Sequence, residues 1–156
     1  MVSNLAPLKS PSHMGIVVED LTRTSEAISS TLNLRKWDIV DYAPQREDIK
    51  IGELFSLQIA FLDIGSTFIE LLQPVSGKSI WSEFLKNHGE GMHHLSFKVS
   101  NWDENVARIQ EQGAKIIAGG LFLGRRWAYF DTGNALTVVE LEEEAPTDKA
   151  TWKLWK

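Results

Sequence analysis

The chain has 156 residues, 43% hydrophobic and 24% charged, the usage of one ordinary globular domain that can bury a core without disulfides. A formal net charge of -5 gives no basic face for nucleic acid, and Arg125 with Arg126 forms only a local basic spot. With no cysteine, thiolate ligands, disulfides and cysteine nucleophiles are all excluded, which leaves His, Asp and Glu as metal ligands. No apolar run approaches the ~20 residues that span a bilayer, and MVSNLAPLKS lacks the apolar centre of a secretory signal, so no membrane association and a cytoplasmic protein are expected.

In chain order, the apolar run from His13 to Val18 predicts a largely buried strand. Asp20 is placed to cap a helix over Leu21 to Leu32 that stops at Asn33. Strands are then predicted over Lys36 to Tyr42, Phe55 to Asp63 and Thr67 to Leu72, with Pro74 as a stop. A short helical stretch, Ile80 to Lys86, connects to a second series. That series is the strand His94 to Val99, a helix Trp102 to Gln112 opened by Asn101 and closed by Gly113, and strands Lys115 to Ala118, Trp127 to Asp131 and Leu136 to Leu141. The expectation is one α+β domain over 1–156, with two βαβββ modules, 11–75 and 91–143, and a tail, 144–156.

The two halves align as an internal repeat. HMGIVV from His13 sits over HLSFKV from His94, and FIELL around Glu70 sits over VVELE around Glu140. Each His opens a strand and each Glu interrupts an apolar one. A carboxylate buried among apolar residues costs several kcal/mol unless a cation compensates, and two such carboxylates with two imidazoles suit one divalent ion. The ligand set His13, Glu70, His94 and Glu140 mixes nitrogen and oxygen, as Zn, Co, Ni, Mn or Fe(II) prefer. His93, one residue before His94, is expected to face the other side of the strand, where it packs or hydrogen-bonds behind the ligands. His88 is expected in a solvated loop.

The same residues resemble the vicinal oxygen chelate superfamily, which includes glyoxalase I and methylmalonyl-CoA epimerase. The likeness runs from His13 to Glu143. It is most specific in FIELLQPVSGKSIWSEFLKNHGEGMHHLSF, Phe68 to Phe97, and is supported by FLDIG, RWAYFDT and VVEL. It implies paired βαβββ modules in a cupped mixed sheet around one metal, with ligands at His13, Glu70, His94 and Glu140, and a homodimer. It also implies metal-stabilised enolate chemistry on a small carbonyl substrate with an acidic α-proton, such as an acyl-CoA, in an epimerase or isomerase. Epimerases of the family present a carboxylate from the third strand, whereas Leu54 to Leu62 has none; Gln58 can orient an oxygen but not remove a proton. Glu70 or Glu140 then stands as the base, or Glu53 from a loop. Alternatives are a glyoxalase-type lyase, a non-haem Fe(II) dioxygenase and a non-catalytic binding or resistance protein. Trp37, Phe55, Phe61, Trp81, Trp127 and Tyr129 are candidates to line its pocket. Arg126, Trp127 and Tyr129 are the expected substrate contacts, with Arg126 for an anionic group. Trp152, Leu154 and Trp155 in the tail are expected to cover a pocket or a partner.

Overall fold

The computed structural model describes residues 8–34, 37–133 and 138–144. Strand β1 (His13–Val17) leads through helix α1 (Leu21–Leu32) to β2 (Asp38–Tyr42), a 3-10 turn (Arg46–Asp48), β3 (Ile49–Ile51), β4 (Phe55–Asp63) and β5 (Phe68–Gly77). Helix α2 (Ile80–His88) then connects to β6 (Gly91–Val99), α3 (Trp102–Glu111), β7 (Lys115–Phe122), β8 (Arg125–Asp131) and β9 (Val138–Glu143).

Local chemistry sets the helix ends. The Asp20 carboxylate accepts from the Arg23 backbone N–H at 2.9 Å, and Asn33 closes α1 in the left-handed conformation at φ 49. Ser79 and Ser82 cap α2 reciprocally. Asn101 is the N-cap of α3, as expected, but its side chain makes no capping hydrogen bond; its carbonyl accepts from Asn105 Nδ2 at 2.8 Å.

The nine strands among the described residues join one mixed sheet in the order β2-β4-β5-β1-β6-β9-β8-β7-β3. Strand β1 runs parallel to β5 and β6 parallel to β9, while β1 and β6 meet antiparallel at the centre. The repeat is therefore a near-twofold arrangement about the β1–β6 seam. Strand β3, an insertion in the first half, crosses to pair with β7 in the second. The Tyr42 ring on β2 meets Phe122 on β7 at 5.3 Å, so opposite ends of the sheet curl toward each other into a cup. Helices α1 and α3 cover the outside through Leu21 with Leu71 and through Val106 with Phe130. The inner face carries Val17, Leu57, Ile59, Leu72, Trp127 and Tyr129, and α2 packs Trp81 onto it.

Strand β5 passes through Pro74 to Gly77 rather than stopping there. Beyond Leu72 it is flanked by β4 alone, and Pro74 pairs with Leu57 at a bulge, where the missing N–H breaks no regular ladder.

Candidate metal centre

The seam between the halves builds the site. Antiparallel pairing sets Gly15 opposite His94 and Ser96 opposite His13, while the parallel neighbours bring Glu70 beside Gly15 and Glu140 beside Ser96. Directly paired residues share a sheet face, so all four larger side chains enter the cup from adjacent strands. Each imidazole stands across from a residue too small to block it. None of the four is more than 7% exposed.

His13 Nε2 lies 3.2 Å from His94 Nε2, 3.0 Å from Glu140 Oε2 and 3.4 Å from Glu70 Oε2. His94 Nε2 lies 3.3 Å from Glu70 Oε2 and 3.5 Å from Glu140 Oε2. Donors with these separations fit around a cation at about 2.0–2.2 Å from each. The donor atoms of His13, His94 and Glu140 all lie within 4.8 Å of one another, a group that could hold an ion. Glu70 Oε2 and Glu140 Oε2 are buried and have no hydrogen-bond partner among the described residues, an arrangement that a cation would compensate. Burial opposes charge on His13 and Glu70, but their attraction outweighs it. The Glu70 and Glu140 carboxylates hold His13 well above its usual value, and His13 with His94 brings Glu70 down to about 2.

Around this cluster, Tyr129 pairs directly with Glu140 and sets its ring edge-on to His94 at 4.9 Å. Burial first, then the Glu140 and Glu70 charges, raise its hydroxyl well above 10. Glu142, one strand repeat beyond Glu140, places Oε1 at 3.9 Å from His13 Nδ1. Burial, and then the Glu140 charge, raises its carboxyl to about 7. Sequence reasoning missed Glu142, although the alternation Glu140-x-Glu142 carried the signal.

His93 departs from the expected face. A β-bulge in β6 skips it, since Gly15 pairs with His94 and Ile16 already pairs with Met92. The extra residue shifts the alternation, and His93 turns inward against Trp81, Phe84 and Tyr129. Its Nδ1 lies 3.0 Å from His94 Nδ1.

Gln58 and Arg126 do not reach the cluster. Gln58 pairs with Gln73 on the α1 side of the sheet, opposite the face of Glu70, and its amide donates to Asp41 at 3.2 Å. Arg126 lies on the outer face with α3, where it grips Glu143 through Nε and Nη2 at 3.1 and 2.6 Å, donates to Asp103 at 2.8 Å and covers the Trp102 ring. Its charge is already matched, so it is not placed to receive a substrate anion in the cup. Trp127 and Tyr129 do face the cup, together with Phe55, Phe61 and Trp81, whereas Trp37 packs outside beneath α1 and donates to the Ser29 hydroxyl at 2.9 Å. Trp81 Nε1, Trp127 Nε1 and the Tyr42 hydroxyl are buried in this lining without hydrogen-bond partners among the described residues.

A shallow groove of about 430 Å³ runs along α2, with His93 and Val138 in its wall and none of the four cluster residues. Glu53, Lys78, Glu83 and His88 are among the polar residues along it, so Glu53 stands at a groove wall rather than beside the four-residue cluster. His88 ends α2 and is exposed rather than belonging to the following loop. Trp152, Leu154 and Trp155 lie outside the described residues. No described helix is long and apolar enough to cross a membrane.

Residues 12–130 match the pattern of the Glyoxalase/Bleomycin resistance protein/Dioxygenase superfamily. An uncharacterized protein of Bacillus subtilis is 30% identical over 61 residues, 39% of this chain and 44% of that protein. The mitochondrial methylmalonyl-CoA epimerase of Bos taurus is 27% identical over 68% of this chain and 55% of its own length. The chain thus spans about half the length of these two relatives. The ethylmalonyl-CoA/methylmalonyl-CoA epimerase of Cereibacter sphaeroides is 29% identical over 69% of this chain and 74% of that protein. In fold, a methylmalonyl-CoA epimerase from Mycobacterium tuberculosis superposes with a TM-score of 0.64 at 22% identity, covering 94% of each chain.

Proposed function

Because the chain belongs to the Glyoxalase/Bleomycin resistance protein/Dioxygenase superfamily, we propose that it is a metal-dependent epimerase or isomerase of a carbonyl compound with an acidic α-proton, such as an acyl-CoA. The observation that carries this reading is the meeting of His13, His94, Glu70 and Glu140 at 3.0–3.5 Å with two carboxylate oxygens otherwise unpartnered among the described residues. Support for the substrate class comes from relatives named as acyl-CoA epimerases.

His13, His94, Glu70 and Glu140 would hold a divalent ion, which would supply Lewis acidity for a developing enolate oxygen. The chain supplies proton transfer. Glu70 and Glu140 flank the histidine pair from opposite halves of the sheet, β5 and β9. One carboxylate takes the α-proton, leaving the C–H electron pair delocalised onto the carbonyl oxygen. That carboxylic acid returns the proton to the same carbon, on the opposite face once the planar enolate has turned over, while the other carboxylate stays with the histidines. Trp127, Tyr129 and Trp81 exclude water around the enolate. Two carboxylates distinguish this set from the two-His, one-carboxylate arrangement of Fe(II) dioxygenases. A homodimer belongs to the same reading, and its check is the mass in solution.

The test is elemental mass spectrometry of the purified chain, His94→Ala and Glu140→Ala, followed by NMR of deuterium uptake from D₂O at the α-carbon of methylmalonyl-CoA and other acyl-CoAs. About one divalent ion per chain, lost in both variants, with exchange only in the loaded wild type, is expected. A wild type that stays metal-free after reconstitution overturns the reading. Stoichiometric metal without exchange on any α-acidic acyl-CoA would leave the ion but remove the substrate class.

A further inference from the structure

His94 presents Nε2 to the three other members of the cluster, which leaves Nδ1 as the atom that decides its tautomer. An imidazole that gives Nε2 to a cation carries its remaining proton on Nδ1, and that proton needs an acceptor when it is buried. His94 is fully buried, and the polar atom facing its Nδ1 is Nδ1 of His93 at 3.0 Å. His93 is itself 3% exposed and boxed by the rings of Trp81, Phe84 and Tyr129, which fix its orientation. Two nitrogens at this distance share one proton. If His94 Nδ1–H donates, His93 must accept on Nδ1 and keep its own proton on Nε2.

The bulge is what makes the contact. Under strict alternation, adjacent strand residues point to opposite faces and their rings cannot meet inside the cup. The skipped register at His93 turns both rings inward. The other histidine has no equivalent, since His13 Nδ1 faces the Ser12 hydroxyl at 3.4 Å and Glu142 at 3.9 Å. His93 also lines the groove, so it touches both the groove wall and one of the four cluster residues.

We propose that His93 is a positioning residue that accepts the Nδ1 proton of His94, fixing the tautomer that frees Nε2 for the metal and joining the groove wall to the metal centre. The inference rests on the metal-binding reading above. Partners of this kind typically contribute 10–100-fold to metal affinity. His93→Phe keeps a ring of similar bulk but no acceptor, and His93→Gln restores an acceptor oxygen.

The experiment is competition for Zn²⁺ against a chromophoric chelator for wild type, His93→Phe and His93→Gln, with the visible spectrum of each Co²⁺-substituted protein. The expected result is affinity lowered roughly 10–100-fold and an altered Co²⁺ spectrum in His93→Phe, with His93→Gln within about threefold of wild type. Equal affinity in His93→Phe and wild type overturns this inference and leaves the metal site standing. A wild type that binds no metal removes both. Nitrogen NMR of the ¹⁵N-labelled, Zn²⁺-loaded wild type needs no variant. A proton on His94 Nδ1 with scalar coupling across to His93 Nδ1 supports the assignment, and an unprotonated His94 Nδ1 overturns it even if His93→Phe does not fold.

Discussion

Gly15 lies directly beneath the ring of His94, so close that a Cβ built on Gly15 would fall inside the imidazole. The pairing is reciprocal across the seam, because Ser96 takes the equivalent position opposite His13. Small residues two places after each histidine are therefore a steric condition for bringing the two imidazoles together at 3.2 Å.

Gly15→Ala is expected to push His94 out of line, costing about 1–3 kcal/mol as overpacking in a core. Ser96→Ala removes a buried hydroxyl that has no hydrogen-bond partner, and should change stability by less than about 1 kcal/mol. Thermal melts with metal analysis check both. Normal metal content in Gly15→Ala would show that the close approach does not constrain the ligand.

Removal of the metal should lower the melting temperature. An ion present at 100–1,000 times its Kd stabilises a fold by roughly 2.7–4.1 kcal/mol, or roughly 5–15 °C for a chain of this size. A chelator titration followed by calorimetry reads the shift, and Glu140→Gln should abolish most of it. If chelator moves neither protein, no ion is held in the fold.

The Arg126–Glu143 pair should contribute pH-dependent stability outside the site. The hydrogen bond from Arg126 leads in holding the Glu143 carboxyl below its usual 4.5. A carboxyl lowered on folding stabilises above its unfolded value, and that contribution fades as pH falls through the folded value. Arg126 is 39% exposed and Glu143 25%, so screening limits the gain to at most about 1 kcal/mol. Arg126→Ala should melt earlier than wild type at pH 7 and together with it near pH 2–3, with KM for an anionic substrate unchanged. A raised KM would return Arg126 to the substrate.

Gln58→Ala should leave metal content and proton exchange within about twofold of wild type, since its amide meets Asp41 on the outer face. Steady-state kinetics decide it, and a tenfold loss of kcat would place Gln58 in the chemistry after all.

Much of this architecture could be read before any contact was known. The repeated His-x-Gly and His-x-Ser strand openings and the repeated Glu between apolar neighbours already defined two like halves, because strand alternation and turn chemistry act over a few residues. Asp20 and Asn33 likewise declared the ends of α1 through local hydrogen bonding and backbone preference.

Tertiary structure decided which faces meet. A bulge of one residue in β6 reversed the expected side of His93, and no local pattern marks where such an insertion falls. The side taken by Gln58 follows from its register against Gln73 and Asp41, and the role of Arg126 from the approach of Asp103 on α3 and Glu143 on β9. Those partners lie 15 to 23 residues away. Sequence by itself determined the repeating elements and the residue types able to bind a cation, since these depend on short-range geometry and chemistry. Pairing between β1 and β6 decided that His13 and His94, 81 positions apart, stand 3.2 Å from each other.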